Sequence, residues 1–121
     1  MDMETREFEE LVADALDDLP EEFLQKLDNI DIVVEDEPSE DELRRLGIGH
    51  PNTLLGLYHG VPRNRRGRSY ANVLPDKITI YMKPIESLCR NDEELKEKVR
   101  EVVMHEIGHY FGLSEKEIRG V

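Results

Sequence analysis

His105-Glu106-Ile107-Gly108-His109-Tyr110-Phe111-Gly112-Leu113-Ser114-Glu115 is the stretch on which the reading of this chain turns. Histidines at i and i+4 of a helix lie one turn apart on the same face, so both imidazoles can reach one ion. The helix that would carry them is well signalled. Asn91 is a favourable N-cap, Glu94 sits at N3, and Asp92 and Glu93 place acids in the first turn. Gly112 suits the left-handed residue that ends many helices. A helix from Asn91 to about Phe111 is therefore predicted. At roughly 100° per residue, Leu95, Val99, Val102, Val103 and Glu106 share one stripe, with both histidines along its edge. Glu106 is thus expected on the face that buries. An uncompensated carboxylate costs several kcal/mol there, and core packing gives no reason for it. Next to a metal-activated water it has one: it can take the proton as the water attacks and pass it to the leaving group. Zinc accepts neutral histidine nitrogens at about 2.0–2.1 Å and in catalytic sites keeps a fourth position for water. The expected ligands are therefore His105 and His109, with Glu106 as the catalytic base.

The next question is what completes the ligand set. Extending the pattern gives His-Glu-x-x-His-x-x-Gly-x-x-Glu, ending at Glu115. Glu117 is the rival. Ser114-Glu-Lys-Glu117 reads as a capping box, in which the Glu117 carboxylate folds back onto the Ser114 backbone. Glu115, at the first position of that turn, would then be free to face the metal. Glu115 is preferred as the third ligand; Glu117, water or another group are the alternatives.

With this motif the chain resembles the zincin metallopeptidases, and its Gly112 spacing resembles the metzincins, whose longer motif ends in a third histidine. It looks closest to the compact bacterial minimal zincin family, in which an acidic residue, usually Asp, occupies that last position. Glu115 is one methylene longer. The 54–58 segment Leu-Leu-Gly-Leu-Tyr and the 74–80 segment Leu-Pro-Asp-Lys-Ile-Thr-Ile also resemble that family's strands, so the likeness covers about residues 50–121. No methionine turn of the metzincin kind follows before Val121. The resemblance implies one zinc ion and an edge strand along the cleft. Gly56, Leu57 and Tyr58 would pair there with an extended peptide or protein substrate, with Gly56 leaving room.

The remaining elements follow from periodicity. Residues 5–19 place Phe8, Leu11, Val12, Ala15, Leu16 and Leu19 on one helical stripe. Pro20 suits the first turn of a shorter helix with Phe23, Leu24 and Leu27. Ile30–Val34 is a β-branched strand. Ser39 to Glu42 is a capping box opening a helix with Leu43 and Leu46, which Gly47 ends. Thr53–Tyr58 reads as a second strand interrupted by Gly56, a sign of a bulge or of another backbone coming close. Ile78–Met82 alternates, with Ile78, Ile80 and Met82 on one side and Thr79 and Tyr81 on the other, until Pro84 stops it. The intervening arginine-rich segment reads as a long hairpin connection. The order αα-β-α-β-β-α makes an α+β domain, expected to be a single unit over residues 1–121.

Composition sets the outer limits. The chain has 121 residues, 38% apolar and 36% charged, which fits one folded, highly charged domain. No apolar run approaches the roughly 18–20 residues of a membrane span. The acidic start lacks the pattern of a signal peptide, so a soluble, cytoplasmic protein is expected. A single cysteine, Cys89, excludes an intrachain disulfide and a cysteine-rich zinc site, and reads as a small buried hydrophobe. The net charge of −12 disfavours nucleic acid and anionic membrane as partners. Arg63, Arg65, Arg66 and Arg68 form a local exception, read as a solvated loop.

Other residues carry weaker functional readings. His50, before Pro51, reads as a surface turn residue. His59 follows the second strand, with substrate orientation as its functional alternative. Tyr58, Tyr81 and Tyr110 can each donate to a developing oxyanion, although half-buried packing is the plainer role for a tyrosine. The function read from these residues is a zinc-dependent hydrolase acting on peptides. The alternatives are a zinc-containing binding or regulatory module without turnover, and a metal-dependent nuclease, which the acidic surface opposes.

Overall fold

The computed structural model describes residues 3–50, 53–60, 76–114 and 116–117. Its first helix, α1 (Thr5–Asp17), buries Phe8, Val12 and Ala15 of the apolar stripe, and Leu19 closes the same face. Pro20 is the N-cap of the one-turn helix α2 (Glu21–Leu24), a position just outside the first turn expected for it. Strand β1 (Ile30–Glu35) follows, then α3 (Glu40–Leu46). The α3 capping box is fully formed: Ser39 Oγ accepts the Glu42 N–H at 3.1 Å, and Glu42 Oε1 accepts the Ser39 N–H at 3.1 Å.

Strands β2 (Gly56–His59) and β3 (Asp76–Tyr81) complete a mixed sheet in the order β1-β3-β2. β1 runs parallel to β3, pairing Ile32 with Ile78, and β2 runs antiparallel to β3, pairing Leu57 with Thr79. The antiparallel pair is what a hairpin connection produces; the arginine-rich connection itself lies outside the described residues.

Three features differ from expectation. β2 begins at Gly56, because the Thr53 N–H and hydroxyl both donate to His50 O, at 3.2 and 2.8 Å, and hold the chain in a turn. β3 ends one residue early, and an unexpected helix α4 (Met82–Ser87) follows it. Pro84 occupies the third position of α4, where a backbone N–H has no acceptor within the helix, so the ring does no harm. Finally, the alternation in β3 does not separate a wet from a dry face. Ile78 and Ile80 enter the main core, while on the other side Thr79 and Tyr81 are buried too. The Tyr81 hydroxyl donates to Glu42 Oε2 of α3 at 3.1 Å. Burial and the adjoining Glu42 carboxylate raise that hydroxyl far above its ordinary range.

Helix α5 (Asp92–Tyr110) organises the rest, lying against α1, α4, β2 and β3. Its start is built as read: Asn91 Oδ1 accepts the Glu94 N–H at 2.9 Å. Replacing Asn91 with Ala is expected to lower unfolding stability by about 1 kcal/mol, read as a reduced urea midpoint with an unchanged slope. Its end is closed by Gly112 at φ 79°, with the Leu113 N–H reaching Gly108 O at 3.0 Å. Tyr110 is wholly buried, and its hydroxyl donates to Asp28 O at 3.0 Å and accepts from the Asp28 N–H at 3.2 Å. That pair ties the C-terminal end of α5 to the segment entering β1. Cys89 sits in the main core, where burial pushes its thiol up. Among the described residues no helix is long and apolar enough to cross a membrane.

Candidate metal centre

The predicted stripe on α5 is the buried one: Leu95, Val99, Val102, Val103 and Glu106 all lie inside. Glu106 is only 7% exposed, while His105 and His109 are half-buried at the edge of the stripe. The two imidazole centroids are 4.7 Å apart with their planes at 81°. One donor atom from each of His105, Glu106 and His109 lies within 4.8 Å of the others. Two zinc–ligand bonds of about 2.1 Å separate their donors by roughly 4.2 Å at most, so the group is compact enough that it could hold a metal ion. The donor set, two neutral nitrogens and a carboxylate, also suits zinc better than calcium or magnesium, which prefer all-oxygen shells.

Strand β2 forms the facing wall and runs in the same direction as α5. Gly56 lies against Val102 and Glu106, and two residues on, the Tyr58 ring meets the Tyr110 ring edge-on at 6.2 Å. At Gly56 strand and helix come close together. A Cβ there would stand 2.9 Å from Val102 Cγ1 and 3.0 Å from Glu106 Cγ. The space left by the missing side chain is therefore taken up by α5.

A cleft opens between these walls and has two halves that share Gly56, His105 and Glu106. One, of about 480 Å³, adds Leu57, Tyr58, His109, Gly112 and Leu113. The other, of about 640 Å³, extends toward residues 53–55 and the preceding turns of α5. In the sheet order β2 is an edge strand among the described residues. Gly56, Leu57 and Tyr58 thus border the cleft on the edge where an extended chain could add.

The other sequence candidates fall as follows. Glu117 is committed as read: its Oε1 accepts the Ser114 N–H at 3.0 Å, and its own N–H donates to Ser114 Oγ at 3.2 Å. The bond from the Ser114 backbone holds the Glu117 carboxylate below its usual range. Glu115 lies outside the described residues. His50 and His59 are exposed and are not part of the metal-competent group. The three tyrosine hydroxyls donate to acceptors built into the fold: Tyr58 to Asp76 Oδ2 at 2.7 Å, Tyr81 to Glu42, and Tyr110 to Asp28 O. Asp76, buried at the start of β3, had no signal in the sequence; it accepts the hydroxyl of Tyr58, a residue that lines the cleft.

Comparison with known proteins agrees with this geometry. Residues 27–121 match the family of zincin-like metallopeptidases. The chain belongs to that family. Its match begins near the entry to β1 and takes in the whole sheet, α5 and the histidine motif, so it spans both walls of the cleft. No curated protein matches the chain. The family implies zinc, and among the described residues His105, Glu106 and His109 form a group that could hold a metal ion.

Proposed function

We propose that this chain is a zinc-dependent peptidase. The observation that carries the reading is the buried Glu106 carboxylate beside two imidazoles at the junction of both halves of a cleft bordered by an edge strand. His105 and His109 hold one zinc ion, and Glu115 completes the ligand set. The commitment of Glu117 to the Ser114 backbone supports that choice. When bound, zinc supplies a Lewis acid that lowers the pKa of water toward about 7 and polarises the scissile carbonyl.

The rest of the chemistry belongs to the chain. Glu106 takes one proton from the attacking water as the water oxygen bonds to the carbonyl carbon. It then delivers that proton to the amide nitrogen as the C–N bond breaks. The water oxygen remains in the new carboxyl group and the nitrogen leaves as an amine, so atoms and charges balance. Gly56, Leu57 and Tyr58 present the β2 edge to the substrate backbone, which adds as a further strand. Burial of Glu106 keeps bulk water from competing for its proton.

The direct test is a mixed peptide library incubated with zinc-loaded and with chelator-stripped protein, read by mass spectrometry. New termini are expected only with the loaded protein. Stripping should lower the rate at least about 100-fold, and one equivalent of zinc should restore it. A loaded protein that leaves every peptide intact would overturn the reading and leave a zinc-containing binding module.

A further inference from the structure

Asp76, only 3% exposed, is a buried carboxylate to which the peptidase chemistry above gives no task. Its place is prepared by the backbone across the sheet. One step past the His59–Lys77 pair, the β2–β3 register sets Gly60 opposite Asp76. A Cβ on Gly60 would stand 2.5–2.8 Å from the Asp76 carboxyl atoms, and Gly60 lies at φ 155°, which side-chain-bearing residues rarely adopt. The carboxylate thus occupies the space that glycine leaves, and accepts the Tyr58 hydroxyl at 2.7 Å. An ionised acceptor makes this one of the stronger kinds of hydrogen bond.

Tyr58 is held a second time, by the edge-on contact of its ring with Tyr110, whose own hydroxyl is tied to Asp28. Tyr110 directly follows His109, so the two rings join β2 to the turn of α5 that carries a proposed zinc ligand. The backbone of Tyr58 is oriented by the sheet. The Tyr81 N–H donates to Leu55 O at 3.0 Å, and in an antiparallel ladder hydrogen-bonded pairs alternate with non-bonded ones. Leu57 and Thr79 are therefore the next bonded pair, and the N–H and C=O groups of Gly56 and Tyr58 point away from β3. Tyr58 thus turns its backbone toward the side on which a peptide would add, while Asp76 holds its side chain.

Resting on the peptidase reading above, we infer that Asp76 is a positioning residue: acting through the Tyr58 hydroxyl, it fixes the strand edge on which the substrate backbone is laid. Asp76 itself touches neither the substrate nor the zinc. Its effect falls on binding and not on the chemical step. Contacts along the edge reach unreacting parts of the peptide, so they are alike in the ground and transition states. With the Asp76 bond lost, Tyr58 must be ordered afresh whenever a peptide binds, and ordering one side chain costs about 3–10-fold in affinity.

The test compares zinc-loaded Asp76→Ala, Asp76→Asn, Tyr58→Phe and the double variant Asp76→Ala/Tyr58→Phe on a library peptide that the unmodified protein cleaves. Asp76→Ala and Tyr58→Phe are each expected to raise KM about 3–10-fold, with kcat within about twofold and zinc content unchanged. Asp76→Asn keeps an acceptor oxygen and should restore most of the KM. The double variant should be no worse than either single one, because both remove the same bond. If Asp76→Ala does not fold, Tyr58→Phe breaks that bond from the other side and carries the comparison with Asp76→Asn. A fall in kcat at constant KM, or losses that multiply in the double variant, overturns the positioning role and leaves the peptidase standing. A second readout needs no peptide. Amide hydrogen exchange at Leu57, relative to Val99 in α5, should speed at least about 3-fold in Asp76→Ala and Tyr58→Phe but not in Asp76→Asn. Exchange unchanged in both variants overturns the positioning even where peptides are cut. Faster exchange with no cleavage by the unmodified protein overturns the peptidase and the substrate role of Asp76 with it, and leaves Asp76 only an anchor of β2.

Discussion

Glu106→Gln is expected to keep one equivalent of zinc and to lose about 10²–10⁴-fold in kcat, the usual contribution of a positioned general base. The substitution is chosen for what it leaves alone. Gln has nearly the same volume as Glu, so the packing of this 7% exposed side chain against Gly56 and Val102 is retained. His105 and His109, the imidazole pair proposed to grip the ion, are untouched. Only the ability to accept a proton is removed. Zinc content by elemental analysis and turnover on a cleaved peptide must therefore separate. The reading has a definite way to fail, because the Glu106 carboxylate lies close enough to both imidazoles to be a ligand itself. If zinc and turnover fell together, Glu106 would be part of the metal's shell, and the base would have to be sought elsewhere.

What could be read in advance was what is local in the chain. Helix α5 needs only its own residues: the Asn91 cap, the apolar spacing and Gly112 fix its ends to within a residue, and the helical period alone turns Glu106 inward. The α3 and Ser114–Glu117 capping boxes are local in the same sense. Features that depend on distant partners were not legible. Thr79 and Tyr81 read as a second face of β3, yet both are buried, because Tyr81 meets Glu42 across the fold. Helix α4 was hidden because Pro84 signals both the end of a strand and the first turn of a helix. The walls of the cleft were hidden for a different reason. Val102 packs in the core and also lines the cleft, and nothing in a sequence distinguishes the two. Gly56 was visible as an oddity within a strand; that its absent side chain makes room for α5 required the packing of β2 against that helix.

Gly56→Ala carries the other large effect, and two opposed contributions decide its sign. Gly56 is not among the residues at positive φ, so alanine meets no backbone strain, and the loss of freedom in the unfolded chain favours the variant by about 0.4–1 kcal/mol. Against this, the new Cβ would stand 2.9 Å from Val102 Cγ1, 3.0 Å from Glu106 Cγ and 3.3 Å from Glu106 Oε2. Val102 is 6% exposed and held in the core, so it cannot swing clear. Overpacking of this kind costs about 1–3 kcal/mol, so the net expectation is destabilisation, read by urea titration. The functional loss should exceed the stability loss in consequence. Moving Glu106 by a few tenths of an ångström to an ångström misplaces the base, and displacements of that order cost up to about 10²-fold in rate. Zinc should remain bound, since the three atoms nearest the new methyl belong to Val102 and Glu106 and to neither histidine. Adding Val102→Ala removes the nearest clash but leaves the contacts with Glu106. The double variant should therefore be more stable than the sum of the single changes, while its kcat stays low. If kcat recovered along with stability, the rate loss in Gly56→Ala would have come from the strained wall, and the alignment of Glu106 by β2 would not matter to turnover.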